Sequence, residues 1–155
     1  MKSLLLVLIL ALSYTASAQW EYQTVENGLD DPYKIAYCQS IGSLLPSLIK
    51  LELLDNGQLA FYIQSVFICE EAPIIEMAFL INGKYSKYSE YGSTSSDNTT
   101  VFINNNIMHE TMQDFVNYFK SCSSLKLRIT DADCGSETYD FNMKNSTAAL
   151  EFMLK

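Results

Sequence analysis

Alternation of apolar and polar residues with a period of two is the feature of this sequence that most limits its possible folds. Over 47–68, Ile49 and Leu51 alternate with charged neighbours, and a second alternating run follows. The pair Asn56-Gly57 stands between the two runs and suits a type I′ turn, because both residues tolerate a positive φ. We therefore predict an antiparallel hairpin in which each strand turns one side toward a core.

Two more hairpins are predicted from the same pattern. Alternation over 74–91 has Asn82-Gly83 near its centre, and alternation over 124–143 surrounds a turn that contains Gly135. Shorter elements are predicted as strands at 33–41 and 100–103 and as a loop, rich in Ser and Thr, at 92–98.

Helical periodicity is clear in one segment, at 107–121. Apolar residues there, including Phe115 and Phe119, recur at the spacing of one helix face, and Asn106 is placed to cap the start. The run 146–154 stays ambiguous because it is too short for its pattern to decide. The predicted fold class is mainly β (α+β): an antiparallel β-sandwich or partly closed barrel of hairpins with one amphipathic helix.

The alternation also predicts which side chains face inward. They are Ile49, Leu51, Leu53, Leu59, Phe61, Ile63, Met77, Phe79, Phe115, Phe119, Leu127, Ile129, Phe141 and Leu150. In a strand, a slip of one residue would turn each of them to solvent, so this set tests the predicted register.

The first 18 residues have the pattern of a secretory signal peptide. Lys2 supplies a positive start, residues 4–12 are apolar and uncharged, and Ala16-Ser17-Ala18 is a small-residue cleavage site. We expect cleavage after Ala18 and export of a single β-rich domain, 19–155, to the periplasm or the extracellular space. No later stretch is long and apolar enough for a membrane helix, so no stable membrane insertion is expected after cleavage.

The charge balance limits the possible partners. Without Lys2 the sequence has 9 basic residues against 18 acidic ones. That balance repels phosphate backbones and anionic membranes at long range, so nucleic acid is not an expected partner. A protein or a glycan remains a possible partner.

Four cysteines, Cys38, Cys69, Cys122 and Cys134, lie in the exported part of the chain. An even number of cysteines in an exported protein predicts a disulfide framework, here of two bridges. Zinc is not expected, because the cysteines are widely separated and His109 is the only histidine.

Strand geometry limits how the cysteines can pair. If the segment between Cys122 and Cys134 is an extended strand, they lie roughly 20 Å apart, beyond the ~7 Å Cα limit for a disulfide. These two residues should therefore not be bonded to each other. Of the two connectivities that remain, we favour the one with Cys69–Cys134, because each of these cysteines ends a predicted strand next to a turn.

No constellation in the sequence predicts catalysis, a cofactor or a metal site. His109, the only imidazole, lies beside the apolar face of the predicted helix, where a boundary position explains it. Glu70 and Glu71 are adjacent in a loop, as carboxylates of a solvated turn often are. Asp131-Ala132-Asp133 resembles the start of a calcium loop, but Gly135 stands where a further oxygen ligand is needed, which favours a capped hairpin turn.

The most suggestive surface is the tyrosine- and serine-rich strand that begins near Lys84. Tyrosine and serine together supply rigid apolar area and adaptable hydrogen bonds, as binding surfaces often do. In a strand, Tyr85 and Tyr91 share one face and Tyr88 points to the other. The alternative is that these tyrosines pack on the sheet. The candidate binding residues are Tyr85, Tyr88, Tyr91, Ser93 and Ser95.

The tail of the sequence resembles a known group of proteins. The runs 125–131, 139–143 and 146–150, with Cys134-Gly135 between the first two, look like the ending of small uncharacterised exported proteins of bacteria and their phages. The tail is more loosely similar to β-rich periplasmic accessory proteins of type VI secretion. The resemblance implies a β-rich exported protein, and it supplies no catalytic residues.

These observations lead to one main functional hypothesis, a non-catalytic exported binding or envelope-accessory protein whose ligand is unknown. An alternative is an inhibitor of a cationic host enzyme such as lysozyme, which the acidic charge and the loop at 91–97 would suit. The other alternative is a small carbohydrate-active enzyme that works through two carboxylates.

Overall fold

The computed structural model describes residues 19–26, 31–42, 46–54, 59–64, 66, 68–69, 71–103 and 112–155, apart from the side chains of Met112 and Gln113. Within these residues the chain forms nine strands and two helices. The strands are β1 (Glu21–Val25), β2 (Tyr33–Ile41), β3 (Leu48–Leu53), β4 (Leu59–Gln64), β5 (Ile74–Ile81), β6 (Lys84–Thr94), β7 (Thr100–Ile103), β8 (Ser124–Asp131) and β9 (Gly135–Asn142). The helices are α1 (Met112–Ser121) and α2 (Ser146–Leu154).

Eight of the strands close into an antiparallel barrel. Their order is β2-β3-β4-β7-β6-β5-β8-β9, and β9 pairs back onto β2 through Ser40 with Phe141 and Ile41 with Asp140. The strand β1 pairs with the first half of β2 and adds a ninth strand outside the ring. The three predicted hairpins are confirmed as β3–β4, β5–β6 and β8–β9. A sandwich is not confirmed, because β2 bonds to both β3 and β9 and so joins the two ends of the sheet.

The predicted loop at 92–98 is partly wrong, because β6 continues to Thr94 and pairs with β7. Gly92 contributed to the loop prediction, but in the structure it allows neighbouring strands to pack closely. A Cβ on Gly92 would overlap Val101 Cγ1 and lie 2.7 Å from Ile75 Cδ1, so only glycine lets β6 approach its neighbours here. The turn itself begins at Ser95.

The predicted inward-facing residues form the core. All of them are buried except Leu53, which is partly buried and packs against the others. From α1, Phe115 and Phe119 contact Phe61 with ring centroids 5.3 and 5.6 Å apart, and both also contact Phe79. The amphipathic helix is thus confirmed from Met112 onward, and the start predicted at 107 lies outside the described residues.

The ambiguous run 146–154 is a helix, and α2 is held by the end of α1. Ser146 Oγ donates a hydrogen bond to the Phe119 carbonyl at 2.6 Å, and Thr147 Oγ1 donates one to the Lys120 carbonyl at 3.0 Å. These carbonyls lie in the last turn of α1, where an α-helix leaves them without an intrahelical partner. Tertiary contact therefore stabilises an element too short to be predicted alone. Within the described residues, no helix has the length and apolar character needed to span a bilayer.

Candidate functional site

One of the two predicted disulfides is present. Cys69 and Cys134 are bonded, so the favoured pairing is confirmed, as is the expectation that Cys122 and Cys134 do not pair. The second bridge is absent, because Cys38 and Cys122 are buried free thiols. Cys38 lies on β2, and Cys122 lies between α1 and β8.

The free thiols lie in surroundings that suppress their reactivity. Burial raises the pKa of Cys38 and of Cys122 to about 12. The Sγ of Cys38 lies 3.4 Å from the Asn142 carbonyl oxygen, and that of Cys122 lies 3.9 Å from the Phe119 carbonyl oxygen. A thiol rather than a thiolate is therefore the form present near neutral pH, and it is not a nucleophile.

A buried carboxylate organises the backbone around the disulfide. Asp131 accepts hydrogen bonds from the backbone N–H groups of Asp133 at 2.9 Å, Cys134 at 3.0 Å and Cys69 at 2.5 Å. The predicted capped hairpin turn is thus confirmed. Asp131 also lies close to both cysteine sulfurs, an arrangement that resembles a metal site in outline. Here the sulfurs are bonded to each other and the carboxylate is held by backbone donors, so this cluster has a structural role.

The other candidate chemical groups give no site among the described residues. His109 and Glu70 lie outside the described residues, and Glu71 is exposed, with its backbone carbonyl accepting a hydrogen bond from the Thr94 N–H. The hypothesis of a carboxylate pair at Glu70 and Glu71 therefore stays untested.

The candidate binding residues fall into two groups. Tyr85 and Tyr91 are 50% and 62% exposed on the outer face of β6, and Ser93 is exposed on the same face. Tyr88 turns the other way, as predicted, and its ring lies 6.1 Å from that of Phe115. Ser95 belongs to the turn after β6, where its hydroxyl donates to Asp97 Oδ1 at 2.5 Å. Tyr85, Tyr91 and Ser93 offer exposed side chains to a partner, and binding there stays a prediction.

The structure adds a groove that sequence patterns did not reveal. In one row across the outer face, Ala78 on β5 stands between Lys87 on β6 and Lys126 on β8. In the next row, Glu76 stands between Ser89 and Arg128. The groove has a volume of about 330 Å³, and we call it the cationic groove. Its lining consists of Glu76, Met77, Ala78, Lys87, Tyr88, Ser89, Lys126, Arg128 and Thr138.

Ion pairs balance part of the positive charge in the cationic groove. Lys126 Nζ lies 2.8 Å from Asp140 Oδ1, and this hydrogen bond raises the pKa of Lys126 above its ordinary value. Arg128 contacts Glu76 through one nitrogen at 3.4 Å. Lys87 forms no ion pair with another described residue. The groove therefore keeps a net positive charge on a chain whose overall charge is −8.

Apolar and aromatic side chains border the cationic groove on the side of Tyr91. Ile74 pairs with Tyr91 across β5 and β6 and is 38% exposed. In the next row, Phe102 pairs with Tyr62, and their rings meet edge to face at a centroid distance of 5.1 Å. A surface with aromatic anchors beside positive side chains is typical of binding sites.

The overall fold resembles that of a solved structure. The chain matches the crystal structure of invasion associated protein B from Bartonella henselae with a TM-score of 0.58 and 13% sequence identity. The match covers 90% of this chain and 92% of that one. This likeness shows the fold alone. No protein-family model matches the sequence, and no curated protein matches it.

Proposed function

We propose that this chain is a non-catalytic exported binding protein whose ligand surface is the outer face of β5, β6 and β8. The cationic groove forms the centre of this surface, and Tyr85 and Tyr91 stand at its two ends. The observation that supports the proposal is the groove itself: an opening of about 330 Å³ in which charged and hydroxyl-bearing side chains surround Ala78, on the face where Lys87 and Ser89 are exposed.

The filling of the barrel supports an outer rather than an inner ligand site. Small closed barrels either fill their interior with side chains or hold a ligand there. In this barrel Phe61, Phe79, Phe115 and Phe119 meet ring to ring among the buried side chains. We therefore expect a ligand to bind the described part of the protein on the outside of the barrel.

Export and an envelope role belong to the same proposal. A disulfide fits an oxidising compartment, and the Cys69–Cys134 bond meets that condition. The resemblance of the tail to small exported proteins of bacteria and phages points the same way.

Affinity capture with matched variants tests the proposal. The exported domain, 19–155, would be used as bait with envelope or host extract, beside the double variant Tyr85→Ser and Tyr91→Ser. The control is Tyr22→Ser, because Tyr22 is also an exposed tyrosine but lies on β1, beside β2 and across the ring from β6.

We expect one specific partner, a protein or a glycan, that the wild type and the control capture and that the double variant captures at least tenfold less, because tyrosine is enriched among the residues that carry most of the binding energy of an interface. Equal capture by all three proteins would contradict the proposed surface. The absence of any specific partner would contradict the binding function.

A further inference from the structure

We propose that the cationic groove binds an acidic oligosaccharide, with a sugar carboxylate between Lys87 and Lys126 and sugar rings against Tyr85 and Tyr91. This inference rests on the proposed function and names the chemical class of the ligand.

The row that contains Ala78 provides a place for an anion. Lys87 and Lys126 flank Ala78 in direct register, so their backbones are about 10 Å apart, two strand spacings. The alanine side chain is a single methyl group, which leaves the space between the two lysines open. Because lysine side chains are long and flexible, the Lys87 ammonium can reach a carboxylate placed over Ala78. The Lys126 ammonium holds Asp140 Oδ1 at 2.8 Å through one of its three N–H donors and can turn the other two toward the same carboxylate.

The neighbouring row provides hydrogen bonds for hydroxyl groups. Arg128 uses one nitrogen toward Glu76, and a guanidinium carries five N–H donors, so donors remain for a ligand. Ser89 and Thr138 place hydroxyl groups on either side of this ion pair. Donors and acceptors thus alternate along the row, and that arrangement suits a ligand with many hydroxyl groups.

The backbone pairing favours a sugar over a peptide. Along the groove, β5 is hydrogen-bonded to β6 on one side and to β8 on the other. Its N–H and C=O groups are therefore not available to add a peptide as a further strand, the usual way a sheet captures an extended peptide. Recognition depends on side chains, and tyrosine rings offer flat faces to the C–H groups of sugar rings.

The dimensions and the net charge also favour an oligosaccharide. Tyr85 and Tyr91 are six residues apart on β6, roughly 20 Å along the strand, so an elongated ligand can contact both. The chain as a whole is acidic and repels densely charged polyanions at long range. A sugar chain with spaced carboxylates satisfies the local positive charge with less repulsion. The same local charge disfavours a cationic enzyme such as lysozyme as the occupant of this groove.

Isothermal titration calorimetry of residues 19–155 at low salt tests the proposal. The probes are three acidic tetrasaccharides, of galacturonate, mannuronate and hyaluronan, with a neutral galactose tetrasaccharide and a glutamate-rich peptide of similar length as comparisons. The variants are Lys87→Gln and Lys126→Gln, which each remove a charge, and Ala78→Leu, which fills the space and leaves the charges in place. The control is Lys34→Gln, because Lys34 lies on β2, across the ring from β6.

We expect at least one acidic tetrasaccharide to bind, the neutral sugar to bind about tenfold more weakly or not at all, and each groove variant to lose about tenfold or more in affinity. The control should bind like the wild type. Circular dichroism with the wild-type spectrum would show that the variants are folded.

Three results would overturn the inference: no binding of any acidic sugar, equal binding of the neutral sugar, or unchanged affinity in Ala78→Leu. Preferential binding of the glutamate-rich peptide would also overturn it, in favour of an acidic protein partner. None of these results affects partner capture that depends on Tyr85 and Tyr91, so the failure of this inference and the failure of the proposed function are distinguishable.

Discussion

At the scale of single residues, Asp131 has the clearest structural role. Its buried carboxylate accepts three backbone hydrogen bonds and links the β8–β9 turn to the segment that holds Cys69. We expect Asp131→Ala to lower the free energy of unfolding by about 2 to 4 kcal/mol, because it leaves these N–H groups without their acceptor. Urea denaturation followed by circular dichroism measures this loss.

The matched control for that substitution is Asp133→Ala. Asp133 lies in the same turn, and its carboxylate is exposed. Its backbone N–H donates a hydrogen bond to Asp131, and the substitution keeps this donor. We expect this control to change stability by less than about 0.5 kcal/mol, as surface substitutions usually do. Similar losses in the two variants would contradict the role given to the Asp131 carboxylate.

The two free cysteines give a second prediction at this scale. Cys38 and Cys122 are buried with pKa values of about 12, so they should resist alkylation in the native protein. Without a reductant, iodoacetamide should label no cysteine in buffer and two cysteines in denaturant, as measured by mass spectrometry. A protein that shows no labelling even in denaturant would have a second disulfide, and the account of the core around β2, β8 and β9 would be wrong.

At the scale of elements, the sequence predicted those features that depend on residues close to one another along the chain. The three hairpins and their inward residues follow from alternation and from turn residues such as Asn82-Gly83, both of which are local signals. The pairing of β5 with β8 and the closure of β9 onto β2 join segments far apart in sequence, and no local pattern specifies them. The cationic groove was missed for that reason, because Ala78 and Lys126 come together only when β5 pairs with β8.

Elements with weak or misleading local signals were missed as well. Four of the five residues of β1 are exposed, so the strand lacks the apolar alternation that identified the others. Gly92 begins a run that is rich in Ser and Thr, as loops often are, but it is buried where β6 passes Val101. The tyrosines of β6 were predicted as a possible surface, and their alternation correctly separated Tyr85 and Tyr91 from Tyr88.

At the scale of the whole molecule, the proposed ligand surface lies on the outer face of the barrel. The aromatic contacts between α1 and the barrel strands occupy the interior, whereas the cationic groove is a local positive region on an acidic chain. The long-range electrostatic potential of the chain is therefore negative, whereas the potential in the cationic groove is positive. That combination favours ligands that carry few charges and make close contacts, because long-range attraction contributes little to their capture.

Site-specific photo-crosslinking is the most direct test of the central claim that the outer face of β5, β6 and β8 is the ligand surface. A photoreactive residue would replace Ser89, which is exposed in the cationic groove, or Gln23, an exposed control on β1. In envelope or host extract, we predict that the protein modified at Ser89 forms a specific covalent adduct and that the protein modified at Gln23 does not. An adduct at Gln23 with none at Ser89 would contradict the claim.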